Sequence, residues 1–167
     1  MARKLVGFSF AAITLAALVL TLGSRVSVAH VVDSATGSGH IHVNGDLRTF
    51  TFNESTDSSG VTTGQTEGKN RNLNIRWHGT INCLDVQGNV ATMEGVATDI
   101  SPNPNPLGIA PGNNILFQVI DNGSGKNAPP DLISLTFFFT GAPVPCTEAF
   151  NGIFATIPIE EGNVKVH

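Results

Sequence analysis

Residues 72–86, NLNIRWHGTINCLDV, decide the fold class because apolar and polar side chains alternate along them. On an extended strand, successive side chains point to opposite faces. Ile75, Trp77, Ile81 and Cys83 would therefore share one face, and the polar residues between them would occupy the other. This stretch predicts a β-strand with one buried face, and it places Cys83 inward.

The same alternation recurs on both sides of this strand, and turn-forming residues separate the alternating segments. Asn44-Gly45-Asp46 predicts a hairpin between two such segments. Residues 101–112, SPNPNPLGIAPG, predict a surface loop, because proline cannot donate to a strand ladder. Residues 132–139, LISLTFFF, predict one strand, and its inward face would carry Ile133, Leu135, Phe137 and Phe139.

Beyond the N-terminal region no apolar stripe of helical period is evident, since Gly, Thr, Asn and Ser interrupt every candidate. Seven to nine short strands joined by hairpins predict an all-β, antiparallel fold. We expect an up-and-down β-barrel of about eight strands, because closure removes exposed sheet edges. A β-sandwich is the alternative that periodicity leaves open.

The N-terminus has the pattern of a secretory signal peptide over residues 1–29. Arg3 and Lys4 precede an uncharged, mainly apolar run, and Ser27-Val28-Ala29 supplies small residues for cleavage. The alternative is an uncleaved membrane anchor, because the run approaches the ~20 residues that span a bilayer. With cleavage, residues 30–167 form a single β-domain, secreted to the extracellular space or the periplasm, with no membrane attachment.

Charge narrows the classes of partner. The chain has 13 acidic and 9 basic side chains, and 3 of the basic ones lie within residues 1–29. An acidic domain without a basic cluster argues against binding of nucleic acid, where phosphate neutralisation supplies much of the affinity. We therefore expect a small ligand or an extracellular macromolecule as the partner. The sequence indicates no oligomeric state.

Two cysteines, Cys83 and Cys146, are present. In an exported protein they predict one disulfide, since the compartments outside the cytosol are oxidising. A reactive thiol is the alternative, but it would leave the second cysteine without a role.

Two segments carry a resemblance to other proteins: IRWHGTINCL at residues 75–84 and FQVIDNGSGKNAPPDLISL at residues 117–135, followed by Cys146. This combination resembles a group of exported bacterial all-β proteins and domains of uncharacterised function. Their shared features are an Arg-aromatic-His-Gly strand leading to Cys and an Asp-Asn-Gly…Pro-Pro-Asp loop. The resemblance extends from about residue 39 to residue 146. It implies export, an all-β structure and a disulfide, and it implies no activity.

Three histidines are candidate ligands for a transition metal. His40 and His42 would share one strand face, and His78 lies on the polar face of its own strand. Three imidazoles are a ligand set suited to Zn²⁺ or Cu²⁺. The alternative interpretation is a solvated polar face.

The loop at residues 121–131, DNGSGKNAPPD, is a candidate calcium site. Asp121, Asn122 and Asp131 offer oxygen ligands, which hard cations prefer. However, the acids that a calcium loop needs at its third and fifth positions are replaced by glycine. The alternative is a stiff connector, in which Asp131 accepts hydrogen bonds from loop amides.

No nucleophile motif, zinc-protease motif or phosphate-binding loop is present, so no catalytic residue is assigned. The sequence favours a non-catalytic secreted β-domain with a structural role or a role in binding a small ligand or a macromolecule, and it requires no cofactor. A cavity walled by Phe50, Phe52, Trp77 and Phe137 would support small-ligand carriage. The alternative is a metal-dependent or cyclase/isomerase-like barrel enzyme that uses the face of the three histidines.

Overall fold

The computed structural model describes residues 31–147 and 154–167. The predicted signal peptide lies outside the described residues. These residues contain no helix, and so none with the length and apolar character needed to cross a bilayer. The strands are β1 (Val31–Val43), β2 (Asp46–Asp57), β3 (Thr62–Asn70), β4 (Ile75–Gln87), β5 (Val90–Ser101), β6 (Asn114–Ile120), β7 (Leu132–Ser134), β8 (Phe137–Phe139), β9 (Thr156–Pro158) and β10 (Glu161–Val166).

All strands belong to one antiparallel sheet with the order β10-β1-β2-β3-β4-β5-β6-β7-β9, and β8 pairs with β6 beyond the end of β7. Strands β1 to β6 are neighbours both in sequence and in space, which is the predicted up-and-down order. The sheet curls into a half-barrel. The predicted all-β, antiparallel, barrel-like fold is therefore confirmed, and the molecule is not two stacked sheets.

The C-terminal segment connects the two ends of this sheet. Its first strand, β9, pairs with β7, and its second strand, β10, pairs with β1. At the step between them, the Ile159 amide donates to the Asp131 carbonyl at 2.8 Å, and the Glu160 amide donates to the His40 carbonyl at 3.1 Å. One continuous stretch of chain thus contacts both edges and helps the sheet to enclose its core.

The first hairpin follows from its turn residues. Asn44 and Gly45 both have positive φ, 52° and 86°. Two consecutive residues with positive φ match the twist of the flanking strands, and Asn-Gly is the pair that adopts this conformation most readily. The predicted hairpin is confirmed, and it fixes the register that pairs Ile41 with Arg48.

The concave face of the sheet carries the core, and the apolar residues of alternate strand positions meet there. Phe52 and Phe117 pack at its centre with their rings 5.7 Å apart. Buried side chains on this face include Ala35, Ile41, Phe52, Ile75, Trp77, Ile81, Met93, Ile115, Phe117, Val119, Ile133 and Val164.

The predicted strand at residues 132–139 is wrong in one respect. It is interrupted between β7 and β8, so the alternation of inward and outward side chains is not continuous from residue 132 to residue 139. Ile133 is buried as predicted, but Phe137 is 47% exposed. Phe138 packs instead against Trp77, with the ring centroids 5.3 Å apart. The unpaired residues 135–136 shift the alternation, and Phe138 therefore takes the inward position expected for Phe137.

The Cys83–Cys146 disulfide is present, with the two Cα atoms 5.9 Å apart. However, Cys83 does not lie on the inner face as predicted. The register of β4 against β5 shifts between Ile81 and Cys83, so Leu84 pairs with inward Met93. Cys83 pairs with Glu94 and shares the outer face with it. The disulfide therefore holds the Cys146 segment against the outside of the sheet.

Candidate ligand-binding site

Two rows of inward side chains cross strands β1 to β4 near one end of the half-barrel. The first row contains Ile41, Arg48, Asn70 and Ile75, which are direct partners across successive strands. Side chains at directly opposed positions lie on the same face with Cβ atoms about 4.5–5.5 Å apart. This row places one cation and one amide among the mainly apolar side chains of the inner face.

The second row contains Gly39, Phe50, Gly68 and Trp77. The missing side chain at Gly68 leaves the space that the indole ring of Trp77 occupies, because a Cβ there would be 2.5 Å from three atoms of the ring. Phe50 stacks on Phe52 with ring centroids 6.1 Å apart. Large rings thus alternate with glycines, and the rings wall the space beside the first row.

A cavity of about 110 Å³ lies between these two rows and the loop at residues 101–113. Its rim includes the exposed Leu107, so it opens to solvent. The cavity is lined by Ile41, Arg48, Thr49, Phe50, Gly68, Lys69, Asn70, Ile75, Trp77, Leu107, Ile109, Ile133, Ser134, Leu135, Thr136 and Phe138. Phe50 and Trp77 are the wall residues expected from the sequence, while Phe52 packs behind them and Phe138 replaces Phe137.

Two hydrogen-bond donors on this wall have no acceptor. Arg48 Nε and Asn70 Nδ2 are both buried, and neither has a partner among the described residues. The other side-chain atom of Asn70, Oδ1, accepts the Leu73 amide at 3.0 Å, which fixes the amide group so that Nδ2 remains free. A buried donor without an acceptor is destabilising by about 1–3 kcal/mol, so this arrangement suits a site that receives an acceptor from a ligand.

The inward face carries a second unusual group away from the cavity. Glu54 is 0% exposed, and neither of its carboxyl oxygens has a partner in the described part of the chain. Burial raises the pKa of Glu54 to about 9, so the carboxyl group is protonated at neutral pH. It does not line the cavity.

His40 and His42 lie on the outer face of β1, beside Glu160 and Glu161. His42 Nδ1 is 2.8 Å from Glu160 Oε2, and the His42 amide donates to Glu160 Oε1 at 3.0 Å. The side-chain hydrogen bond from His42 is the main cause that lowers the pKa of Glu160. His40 is more distant, 3.9 Å from a carboxylate oxygen of each glutamate. The cluster is an exposed set of His–Glu pairs.

His78 lies elsewhere, on β4, beside Glu67 at 3.5 Å; the same carboxylate accepts Arg76 Nε at 2.8 Å. Strands β2 and β3 lie between β1 and β4 in the sheet, and His40 and His78 approach different glutamates. Within the described ranges, no three His, Cys, Asp or Glu side chains meet in a group that could hold a metal ion. The structure therefore does not bring the three imidazoles together at one site.

The loop at residues 121–131 uses its acids to bind backbone amides. All four carboxylate oxygens of Asp121 and Asp131 accept such a hydrogen bond. The donors are Gly123 and Val166 to Asp121, at 2.7 and 3.2 Å, and Asn122 and Val164 to Asp131, both at 2.8 Å. The Asn122 side chain donates to the Pro130 carbonyl at 2.7 Å. The arrangement is the stiff connector considered above, and it ties the loop to β10.

Sequence reasoning missed Arg48, Asn70 and Glu54. The sequence does indicate an inward position for two of them, because Arg48 and Glu54 are in phase with the apolar Phe50 and Phe52 along the strand. A charged residue in phase with an apolar strand face predicts a buried charge. For Asn70 the sequence has no such signal, since the polar stretch of β3 shows no apolar face.

No protein-family model, no curated protein and no solved structure matches this chain.

Proposed function

We propose that this protein is an exported, non-catalytic β-domain that binds a small, largely apolar ligand in the cavity beside Trp77. The observation that carries the proposal is the cavity of about 110 Å³ with walls of Phe50, Trp77 and Phe138. Ligand sites are typically concave and mainly apolar, with a few polar groups that orient the ligand. A curled antiparallel sheet that holds one small ligand is a known use of this architecture.

The size of the cavity limits the ligand. An apolar cavity of about 150 Å³ accommodates benzene, so this one accommodates a somewhat smaller apolar group, such as a chain of about four or five carbon atoms. A ligand with about eight non-hydrogen atoms is expected to bind with a Kd of about 0.1–1 mM. The open rim at Leu107 would let a longer ligand extend into solvent.

Export is supported by two observations and by the resemblance inferred from the sequence. The N-terminal 29 residues have the composition of a secretory signal, and the two halves of the chain are joined by a disulfide, which persists in oxidising compartments. The resemblance to exported bacterial all-β proteins points the same way. Ligand carriage outside the cytosol is consistent with these features.

Trp77 makes the proposal directly testable, because it is the only tryptophan in the chain and lies in the cavity wall. Titration of the purified domain with aliphatic alcohols and acids of four to eight carbons should change the Trp77 fluorescence saturably. The best-fitting chain length should bind most tightly.

A matched pair of variants tests whether the response comes from this cavity. I109F introduces a ring from the loop that covers the cavity and should abolish the response. V61F adds the same ring at an exposed turn residue outside the cavity lining and should leave the response unchanged. Absence of saturable binding to the folded wild-type domain would overturn the proposal.

A further inference from the structure

The cavity wall has a charge that contrasts with the rest of the molecule. The chain has an excess of acids, with a formal net charge of −4. Among the described residues, those that line the cavity nevertheless include Arg48 and Lys69 and no Asp or Glu. Such a partly buried positive surface favours an anion, because partial exclusion of water strengthens the attraction between opposite charges.

Arg48 has no partner among the described residues that neutralises it. The residues directly opposite Arg48 on the two adjacent strands are Ile41 and Asn70, and neither carries a charge. None of the ion pairs of the described residues includes Arg48, and its Nε is buried without an acceptor. By contrast, Arg76 on the outer face binds Glu67. The guanidinium group of Arg48 can therefore accept a new anionic partner without losing an existing ion pair.

Asn70 supplies the second donor. It lies directly opposite Arg48, is 8% exposed and lines the same cavity, and its Nδ2 has no acceptor among the described residues. The two donors come from adjacent strands at one register position, so the two side chains are neighbours in the cavity wall. The planar guanidinium group of arginine forms strong, often bidentate hydrogen bonds with carboxylates.

We propose that the ligand is a small aliphatic monocarboxylic acid, whose carboxylate binds Arg48 and Asn70 and whose tail fills the cavity beside Trp77. This inference rests on the proposed function, and it specifies the chemical class of the ligand. The carboxylate supplies the acceptors that Arg48 Nε and Asn70 Nδ2 lack. The apolar tail contacts the aromatic wall.

The test compares ligands that have the same tail and different head groups. Hexanoate, hexan-1-ol and hexanamide are titrated into the wild-type domain at pH 7, and Trp77 fluorescence is recorded. We expect the affinity for hexanoate to be at least about tenfold higher than that for either neutral ligand, which is the gain typical of a charge-assisted hydrogen bond. Inorganic phosphate should not displace it. Displacement by phosphate would overturn the assignment of a carboxylate.

Variants identify the donors. R48Q should weaken hexanoate binding by about tenfold or more while leaving hexan-1-ol binding nearly unchanged, because only the charged head group uses Arg48. R48K keeps the charge without the planar fork and should give an intermediate loss. The matched control is R76Q, which removes the same charge from the outer face and should change neither affinity.

The outcomes separate the two proposals. If the acid and the alcohol bind equally and R48Q affects neither, the cavity binds a ligand but the carboxylate assignment is wrong. If none of the three ligands binds to the folded wild-type domain, the proposed function fails and this inference fails with it. If R48Q weakens all three ligands equally, Arg48 supports the cavity wall and the inference is overturned.

Discussion

Gly68 on β3 lies directly opposite Trp77 on β4, and the indole ring covers the position that a Cβ at Gly68 would occupy. The three nearest ring atoms would each be 2.5 Å from that Cβ, well inside van der Waals contact. The placement of the aromatic wall therefore depends on the absence of a side chain on the neighbouring strand. This relationship connects a property of the sequence to the shape of the cavity.

G68A should displace the indole ring and lower the free energy of unfolding by about 1–3 kcal/mol, the usual effect of overpacking a core. The fluorescence maximum of Trp77 should shift in the folded state, and chemical denaturation gives the change in stability. In a W77L background the added methyl group has room, so G68A should then have a much smaller effect. Equal effects in both backgrounds would show that the two residues are not coupled.

Glu54 should make the protein less stable as the pH rises. Its pKa is about 9 in the folded protein and 4.5 ordinarily, so between these values the unfolded chain releases a proton that the folded protein retains. The free energy of unfolding therefore falls with rising pH across this window, by about 3 kcal/mol at pH 7. E54Q cannot ionise and should remove this dependence.

The measurement is chemical denaturation of the wild type and E54Q at several values of pH from 4 to 9. Because all other titratable groups are common to both proteins, the difference between the two curves isolates Glu54. D85N, which removes the charge of an aspartate hydrogen-bonded to Gln87, serves as the control and should keep the wild-type dependence in this window. A difference curve that is flat would contradict the buried, protonated state of Glu54.

The disulfide should contribute substantially to stability. Cys83 and Cys146 are separated by 63 positions, and closing a loop of this length stabilises a fold by about 4 kcal/mol in the chain-entropy model. C83A/C146A should lower the free energy of unfolding by about that amount, measured by urea denaturation. The wild type in a reducing agent is the internal control and should approach the stability of the variant.

The regular part of the fold could be predicted from the sequence. Period-2 alternation and the Asn44-Gly45 turn are local properties, and they correctly predict the antiparallel strands and the first hairpin. Two irregularities could not be predicted. The register shift before Cys83 and the break at residues 135–136 depend on how each strand pairs with its neighbours in the sheet, so alternation counted along the chain goes out of phase beyond each of them.

The candidate site is predictable only in part, for a related reason. Alternation places Arg48 on the face of Phe50 and Phe52, which predicts an inward charge. Whether Arg48 has a neutralising partner depends on the pairing register, which decides the residues that surround it. One of these residues is Asn70 on the adjacent strand. The histidines show the converse case, because their number and face suggested a metal site, whereas the strand order separates His78 from His40.

Asp131 should be the main connection between the loop at residues 121–131 and the C-terminal strand. It is 7% exposed, and its carboxylate accepts the amides of Asn122 and Val164. Hydrogen bonds to charged groups contribute about 1.5–3 kcal/mol each, so D131A should lower the free energy of unfolding by several kcal/mol. D131N keeps one acceptor oxygen and should give an intermediate loss.

Hydrogen exchange of the Val164 amide provides a local measurement that complements urea denaturation. The amide is buried and bonded to Asp131 Oδ2, so its exchange should accelerate in D131A more than that of core amides in β5. D99A, which removes an exposed aspartate from β5, is the matched control and should leave Val164 exchange unchanged. Unaltered Val164 protection in D131A would mean that the pairing of β10 with β1 holds the C-terminal strand without the loop.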